Sequence, residues 1–177
     1  LSVEGYIASG FASGLSTIRK DEMEFGAAII EIGGGAATVS IFYKKNMIFT
    51  EGVPYGGLHI TNDIAKVLNL DLAVAEEIKT LHGSVHNMKG TEDNIINIGN
   101  DKIGDQNIIY QSKLNEVIKA RLEEILILLK NKLVEANIMK VTNKIIIVGG
   151  SSPIVGLNEL AEQVFGIKSR IGAIEGI

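Results

Sequence analysis

Apolar residues in this chain follow two patterns. Short continuous runs rich in Ile and Val, such as residues 27–32 and 144–148, predict buried strands. Longer segments in which apolar residues recur every three or four positions predict helices, and the longest covers residues 112–137. The predicted strands are 27–32, 38–43, 47–53, 94–98, 107–110, 144–148 and 168–171, and the predicted helices are 8–20, 59–68, 72–81, 112–137 and 155–165.

Turn residues separate the first strands. Lys44, Lys45 and Asn46 form a short polar connection, so the strands on either side are expected to form a hairpin. Pro54 lacks an N–H donor and is expected to end the pairing.

Capping residues mark two of the predicted helices. Asp71 is a candidate N-cap and Gly83 a stop for the helix between them. Pro153 suits the first turn of the late helix, with Ser152 as its candidate cap.

The order of these elements indicates an α/β fold. The segment from about Asp71 to Val141 is expected to form a smaller α/β lobe inserted into a larger one.

The composition narrows the class of protein. The chain has 177 residues, 46% of them hydrophobic, which is enough for a packed core. A net charge of −4 gives no reason to expect a nucleic-acid partner. The absence of cysteine excludes disulfides and thiolate chemistry. The chain begins at Leu1 without a signal-peptide pattern, and we expect a fragment of a longer protein.

A triple-glycine turn between two apolar strands is the strongest chemical signal. Backbone N–H groups of Gly33, Gly34 and Gly35 can converge on a phosphate, because glycine allows close approach and positive φ. Glu31 precedes the turn and is a candidate magnesium ligand. The alternative is a tight hairpin without a ligand.

Two further features could belong to the same site. Glu76 and Lys79 share a helix face and could bracket the hydroxyls of a ribose, or could form only a surface ion pair. Gly149, Gly150 and Ser151 follow a strand and could receive a flat ring and an anion, or could be only a strand-to-helix turn.

The common nucleotide fingerprints are missing. The chain has neither a P-loop nor a Gly-x-Gly-x-x-Gly motif between a strand and a helix. His59, His82 and His86 form no recognisable ligand set, and no Ser–His–Asp arrangement stands out.

The order of the motifs resembles the actin-like ATPase superfamily and, within it, the FtsA family of bacterial cell-division proteins. The resemblance covers nearly the whole chain and is weakest over residues 84–107. It is carried by the glycine turn and by Pro54-Tyr55-Gly56-Gly57, Thr61-Asn62-Asp63-Ile64-Ala65, Ala75-Glu76-Glu77-Ile78-Lys79, His82-Gly83, Arg121-Leu122-Glu123-Glu124-Ile125, Ile147-Val148-Gly149-Gly150 and Arg170-Ile171-Gly172.

The resemblance implies an actin-like (ribonuclease H-like) fold with a mixed sheet and half of an ATP–magnesium site. Residues 1–70 and 142–177 would form subdomain 2A, and residues 71–141 would form subdomain 2B. The implied nucleotide-binding residues are Gly33, Gly34, Gly35, Ala36, Glu76, Lys79, Gly149, Gly150 and Ser151, with Glu31 near the metal.

The resemblance also implies a partner surface on the long helix. Arg121 and Glu124 match positions implicated in binding the C-terminal tail of FtsZ, and Val117 and Leu128 extend the same stripe by one turn on either side. From the residues alone, a helix buried on two sides with a local ion pair remains an alternative.

The family implies a cytoplasmic scaffold at the inner face of the membrane at the division site. The full protein would bind ATP, hydrolyse it slowly at most, form filaments and tether FtsZ to the membrane through a segment that has no counterpart here. The isolated fragment is expected to be inactive as an ATPase. Alternatives are a fragment that serves only as a peptide-binding module, or another actin-like protein such as a shape-determining filament protein, a pilus-assembly protein, a chaperone ATPase or a sugar kinase.

Two departures from the family pattern concern the glycine turn. Glu31 stands where the family usually has Asp, and Ala36 and Ala37 stand where it has two Thr residues. The longer acid and the loss of two hydroxyls put metal positioning and hydrolysis in doubt, whereas a backbone cradle would survive.

Overall fold

The computed structural model describes residues 3–86, 94–98 and 108–173, which form a mixed sheet covered by helices on both faces. The strands are β1 (Ala27–Ile32), β2 (Ala37–Tyr43), β3 (Asn46–Val53), β4 (Ile95–Asn97), β5 (Ile108–Tyr110), β6 (Lys144–Val148) and β7 (Ser169–Ile171). The helices are α1 (Ser9–Thr17), α2 (Lys20–Phe25), α3 (Gly57–Leu68), α4 (Leu72–His82), α5 (Gln111–Glu135) and α6 (Leu157–Phe165), and a short 3₁₀ turn covers Met139–Val141.

The main sheet has five strands in the order β3-β2-β1-β6-β7. β1, β2 and β3 form two antiparallel hairpins, and β6 and β7 run parallel to β1. β1 and β6 are therefore parallel neighbours, and their carboxyl ends, Ile32 and Val148, lie at the same edge of the sheet. Ligands of open α/β sheets bind at such an edge.

The two faces of the sheet pack against different helices because successive side chains of a strand point to opposite sides. Ala28, Ile30 and Ile32 join one large cluster with apolar side chains of α3, α4, α5 and α6. Ala27 and Ile29 belong to a smaller cluster on the other face, where α1 and α2 lie.

The long helix α5 packs on the face of the sheet that carries the larger apolar cluster. Its buried side chains recur at helical spacing and belong to the main cluster, which also includes Ile96 of β4 and Ile109 of β5. β4 and β5 form a separate two-stranded antiparallel sheet. The division into residues 1–70 with 142–177 and residues 71–141 stays a prediction.

Most predicted elements are confirmed within the described residues. The runs 27–32 and 144–148 are strands over the same bounds, the hairpin between β2 and β3 forms, and helices α3, α4 and α5 begin and end within two residues of their predicted limits. Both short strands of the polar segment are present, although Asn107 lies outside the described residues.

The prediction of one helix over residues 8–20 is wrong. The first helix ends at Thr17, Ile18 and Arg19 are extended, and α2 follows. The backbone N–H of Arg19 donates to the Glu22 carboxylate, a capping interaction that starts a new helix.

The late helix, predicted over residues 155–165, covers Leu157–Phe165, but its predicted cap is wrong. The N-cap is Gly156, with a φ of 85°, and Ser152 and Pro153 lie outside the helix. The preceding residues instead tie the chain to the end of α4, because Val85 donates its N–H to the carbonyl of Val155. At the other two caps the predicted positions are confirmed, but the Asp71 side chain makes no capping hydrogen bond and Gly83 has a φ of −65°, which any residue can adopt.

Candidate functional site

A cavity of about 270 Å³ lies at the carboxyl edge of β1 and β6. Three motifs that are far apart in the sequence line it together: the glycine turn after β1, the Glu76–Lys79 pair on α4, and the turn after β6. The lining residues are Gly33, Gly34, Gly57, Leu58, Glu76, Lys79, Thr80, Leu81, Gly83, Gly150, Ser151, Pro153, Ile154 and Val155.

The glycine turn presents free backbone donors. Gly33 closes the turn by donating its N–H to the carbonyl of Ala36 at 3.0 Å. Gly34, Gly35 and Ala36 are exposed, and within the described residues their N–H groups have no hydrogen-bond acceptor. Consecutive free N–H groups of this kind form an anion-binding concavity.

The carbonyls of the same turn face the start of α3. Gly57 donates its N–H to Gly33 at 2.8 Å and Leu58 donates to Gly34 at 2.9 Å, so the turn takes up two of the otherwise unpaired donors of α3. A Cβ atom on Gly56 would lie 2.3 Å from the carbonyl oxygen of Gly33.

The expectation of positive φ in the glycine turn is wrong. The described glycines with positive φ are Gly26, Gly149, Gly156 and Gly166, so the turn does not depend on the conformational freedom of its three glycines. Close approach is the requirement here, and it falls mainly on Gly56.

The turn after β6 packs closely against the end of β1. Gly149 has a φ of 98°, and a Cβ atom there would lie 2.5 Å from the carbonyl oxygen of Ile32. Gly150 faces open space at the cavity, and Ser151 is buried. The helix that was expected to offer N–H groups to an anion begins at Leu157, and none of its residues lines the cavity.

Lys79 is buried, so the interpretation of its pair with Glu76 as a surface ion pair is wrong. The Lys79 side chain is 8% exposed and lies 2.6 Å from Glu76 Oε2. Lys79 Nζ also donates to Thr61 Oγ1 at 2.9 Å and to the carbonyl of Gly57 at 3.3 Å, and the Thr61 hydroxyl contacts Glu76 Oε2.

The environment of Glu76 favours its charged form. Burial raises the pKa of the carboxyl, but hydrogen bonds from Lys79 and Thr61 and the positive charge of Lys79 outweigh burial, and the pKa lies below its ordinary value.

Thr61 was not among the predicted site residues. It lies within the quoted motif 61–65, but nothing in the sequence places it beside a residue fifteen positions later.

Four predicted residues do not line the cavity: Glu31, Gly35, Ala36 and Gly149. The side chain of Glu31 alternates with Ile30 and Ile32 and therefore projects to the face covered by α1. Glu31 Oε2 and the cross-strand Thr38 Oγ1 are buried and have no hydrogen-bond partner among the described residues.

Three of the four predicted partner residues, Val117, Arg121 and Glu124, line a groove of about 390 Å³ between α3 and α5. Arg121 pairs with Asp63 of α3 at 2.5 Å and with Glu124 at 2.6 Å, and its guanidinium lies over the ring of Tyr55. The hydrogen bond that Arg121 donates to the Asp63 carboxylate is the main reason that the pKa of Arg121 is raised.

The groove also has an apolar wall. Val117 lines it together with Val67, which is 54% exposed, whereas Leu128 lies outside the groove and packs against the main cluster. Sequence reasoning missed Asp63 because a polar residue on an amphipathic helix carries no sign of its partner.

Residues 28–176 match the family described as "Cell division protein FtsA". A relative of that description from Agrobacterium fabrum is 33% identical over 181 residues, which cover 100% of this chain and 41% of the relative. The relative from Rhizobium meliloti is 34% identical over the same shares of the two chains. The chain thus spans about two fifths of the length of these curated relatives.

Solved structures share the fold at lower identity. MreB 5 of Spiroplasma citri has a TM-score of 0.75 and 21% identity, with 92% of this chain and 53% of that chain covered. In the described part of this chain, no helix has both the length and the apolar character needed to cross a bilayer.

Proposed function

Because the chain belongs to the FtsA family of bacterial cell-division proteins, which have an actin-like fold, we propose that it forms one wall of an ATP-binding cleft and a docking surface for the FtsZ tail. The family assignment separates it from the other actin-like proteins that the sequence left open. The nucleotide and partner roles are the proposal.

One observation carries the nucleotide role: the glycine turn, Glu76 and Gly150 line the same cavity although they are distant in the sequence. Gly34 supplies a free N–H at the cavity, and the free N–H groups of Gly35 and Ala36 follow it in the same turn, a set suited to phosphate oxygens. Glu76 supplies a carboxylate suited to hydroxyls, and the residues after Gly150 supply an apolar wall suited to a base. MreB 5, which shares the fold, was crystallised bound to AMPPNP.

The cavity lining does not fit a dedicated magnesium site. Its carboxylate, Glu76, is already paired with Lys79, and the described residues contain no group of three His, Cys, Asp or Glu side chains that could hold a metal ion. Magnesium usually reaches nucleotide sites with the phosphates, and we assign no step to Glu31.

Calorimetry with ATP tests the cleft. The chain alone is expected to bind ATP weakly or not at all and to show no metal-dependent hydrolysis, whereas the full-length protein that contains it is expected to bind ATP. Micromolar affinity or robust turnover by the chain alone would contradict the one-wall interpretation.

A variant pair locates the site. Gly150→Leu places a side chain in open space that belongs to the cavity, so the full-length protein is expected to fold and to lose ATP affinity. Gly5→Leu also adds a side chain in open space, but away from the cavity, and serves as the matched control. Equal affinities of the two variants would exclude this cavity as the nucleotide site.

The groove between α3 and α5 supports the partner role. Its apolar wall and its Arg121–Glu124 centre suit an amphipathic peptide with charged ends. In a full protein that forms filaments and attaches to the membrane, such docking would hold FtsZ at the cytoplasmic face of the membrane at the division site.

A further inference from the structure

Gly56, the residue before α3, packs directly on the backbone of the glycine turn. A Cβ atom there would lie 2.3 Å from the carbonyl oxygen of Gly33, 2.7 Å from that of Gly34 and 2.9 Å from the nitrogen of Ala36. Because the Ala36 N–H is one of the free donors of the turn, a change in the backbone of Gly56 would displace that donor. Gly56 is buried, but a glycine has no side chain that could hold its own backbone in one conformation.

His59 supplies the missing restraint. The Gly56 N–H donates to His59 Nδ1 at 3.1 Å, and the His59 N–H donates to the carbonyl of Gly56 at 3.0 Å. The first of these bonds is the half of a capping box in which a side chain at the third helical position, usually Glu or Gln, reaches back to the N-cap N–H. With the imidazole in that role, one residue engages both the N–H and the carbonyl of Gly56.

The imidazole is itself held by a neighbouring ring. The rings of Tyr55 and His59 lie edge to face, with their centroids 5.3 Å apart and their planes at 73°. The guanidinium carbon of Arg121 lies 5.8 Å from the centre of the Tyr55 ring, so this support extends to α5. His59 does not line the cavity, and any effect it has on a ligand must pass through Gly56 and the turn.

The hydrogen bond to Gly56 requires one protonation form of the imidazole. A ring nitrogen that accepts a hydrogen bond carries no proton, so His59 is neutral and its proton is on Nε2. The other neutral form, with the proton on Nδ1, would place two N–H groups against each other.

We propose that His59 is a positioning residue for phosphate binding, because it fixes Gly56 against the glycine turn and thereby keeps the free N–H groups of the turn directed at one anion. The proposal rests on the proposed nucleotide role of the cavity. His59 makes no contact with the nucleotide, and its effect is confined to the phosphates, since the sugar and the base meet other residues of the cavity.

The first test compares ATP with adenosine on the full-length protein, by calorimetry for ATP and by displacement of a fluorescent ATP analogue for adenosine. His59→Leu removes the acceptor and leaves the buried Gly56 N–H unpaired, and it is expected to weaken ATP about tenfold and adenosine less than about twofold. His59→Asn places a carbonyl oxygen where Nδ1 stands and is expected to return the ATP affinity to within about threefold of the wild type. His82→Leu makes the same change at an exposed histidine outside the cavity and is expected to leave both affinities unchanged.

A second measurement needs no nucleotide. Long-range proton–nitrogen correlation spectra of the full-length protein with isotope-labelled histidine show which ring nitrogen carries the proton, and the signal of His59 is identified by its loss in His59→Asn. The form with the proton on Nε2 is expected. A proton on Nδ1 would overturn the inference even if His59→Leu folds poorly.

The outcomes keep this inference apart from the nucleotide role itself. If the full-length protein does not bind ATP, the proposed function fails and the inference fails with it. If the protein binds ATP but His59→Leu leaves that affinity unchanged, or weakens ATP and adenosine by the same factor, the nucleotide role stands and the positioning role is overturned. Failure of His59→Asn to restore ATP affinity would likewise overturn only the positioning role.

Discussion

The N–H of Gly57 donates a hydrogen bond to the carbonyl of Gly33 at 2.8 Å, so the first residue of α3 holds the glycine turn in place. The turn therefore behaves as part of α3 rather than as a free loop, and substitutions at this contact are expected to act on both.

Gly56→Ala is expected to lower the free energy of unfolding by about 2 to 3 kcal/mol, because its Cβ atom would overlap backbone. That atom would lie 2.3 Å from the carbonyl oxygen of Gly33 and 2.7 Å from that of Gly34. The φ of Gly56 is −160°, so the penalty is steric. Urea unfolding measures it, and Gly35→Ala, which meets nothing within 4 Å, is the control with an expected change below about 0.5 kcal/mol. Equal stability of the two variants would contradict the contact.

Arg121→Glu is expected to weaken binding of a labelled FtsZ tail peptide at least about tenfold. The change reverses the charge at the centre of the groove and places a carboxylate beside Asp63 and Glu124. Fluorescence anisotropy measures the affinity, and thermal unfolding shows whether the loss of the Asp63 pair has disturbed α3. Lys119→Glu makes the same charge change on α5 outside the groove and is expected to bind normally. Unchanged binding by Arg121→Glu would remove the proposed docking site.

Arg170→Met is expected to lower the free energy of unfolding at pH 7 by about 2 to 3 kcal/mol, somewhat less than for a fully buried pair. Arg170 joins Glu22 through two hydrogen bonds of 3.0 and 2.6 Å and the carbonyl of Thr17 through a third of 2.7 Å. Both side chains of the pair are mostly buried, at 19% and 12% exposed. Lys113→Met, at a pair with 52% and 68% exposed side chains, is the control and is expected to have an effect below about 1 kcal/mol.

The ion pair between Glu22 and Arg170 also makes the free energy of unfolding depend on pH. Burial raises the pKa of Glu22, but the hydrogen bonds from Arg170 and Arg19 and their charges outweigh burial and lower it from its ordinary value of 4.5. A lowered folded-state pKa contributes stability that is complete above 4.5 and is lost as the pH falls through the folded-state pKa. The difference between the wild type and Arg170→Met should therefore be larger at pH 7 than at pH 3, and a difference independent of pH would contradict the assignment.

Gly14→Ala is expected to destabilise the protein by about 1 to 2 kcal/mol, although alanine favours helices by about 1 kcal/mol. Its Cβ atom would lie 2.2 Å from the ring of Phe42, which is buried and has no room to turn away. Gly10→Ala meets the smaller side chain of Ser40, whose hydroxyl can move away only by giving up its hydrogen bond to Thr50 Oγ1, and is expected to lose less, about 1 kcal/mol. Thermal unfolding compares the two, and a larger loss at Gly10 would contradict this packing of α1.

Local patterns predicted the strands well because buried parallel strands are continuous apolar runs. β1 and β6 have their predicted bounds, and their parallel pairing explains why the two glycine turns that follow them meet. The family resemblance brought the candidate residues of the cavity together, and the fold then placed most of them on one wall.

The features that were missed depend on contacts across the fold. From the sequence, Lys79 looks like a surface residue of a helix. Only the packing of α4 against α3 buries it beside Thr61. Pro153 was predicted to lie in the first turn of the late helix, but the helix begins at Leu157, and the hydrogen bond from Val85 to Val155 holds the chain in a turn before it. Neither partner is close in sequence, so no local pattern encodes the contact.

Because β1 lies in the middle of the sheet, its two edges become paired at different times during synthesis. β2 follows β1 at once, whereas β6, which covers its other edge, leaves the ribosome only after residues 54–143. Until then the edge of Ala27–Ile32 is open to pairing with another nascent chain. A polypeptide that stops before Lys144 is therefore expected to accumulate in inclusion bodies, and one extended through β6 is not.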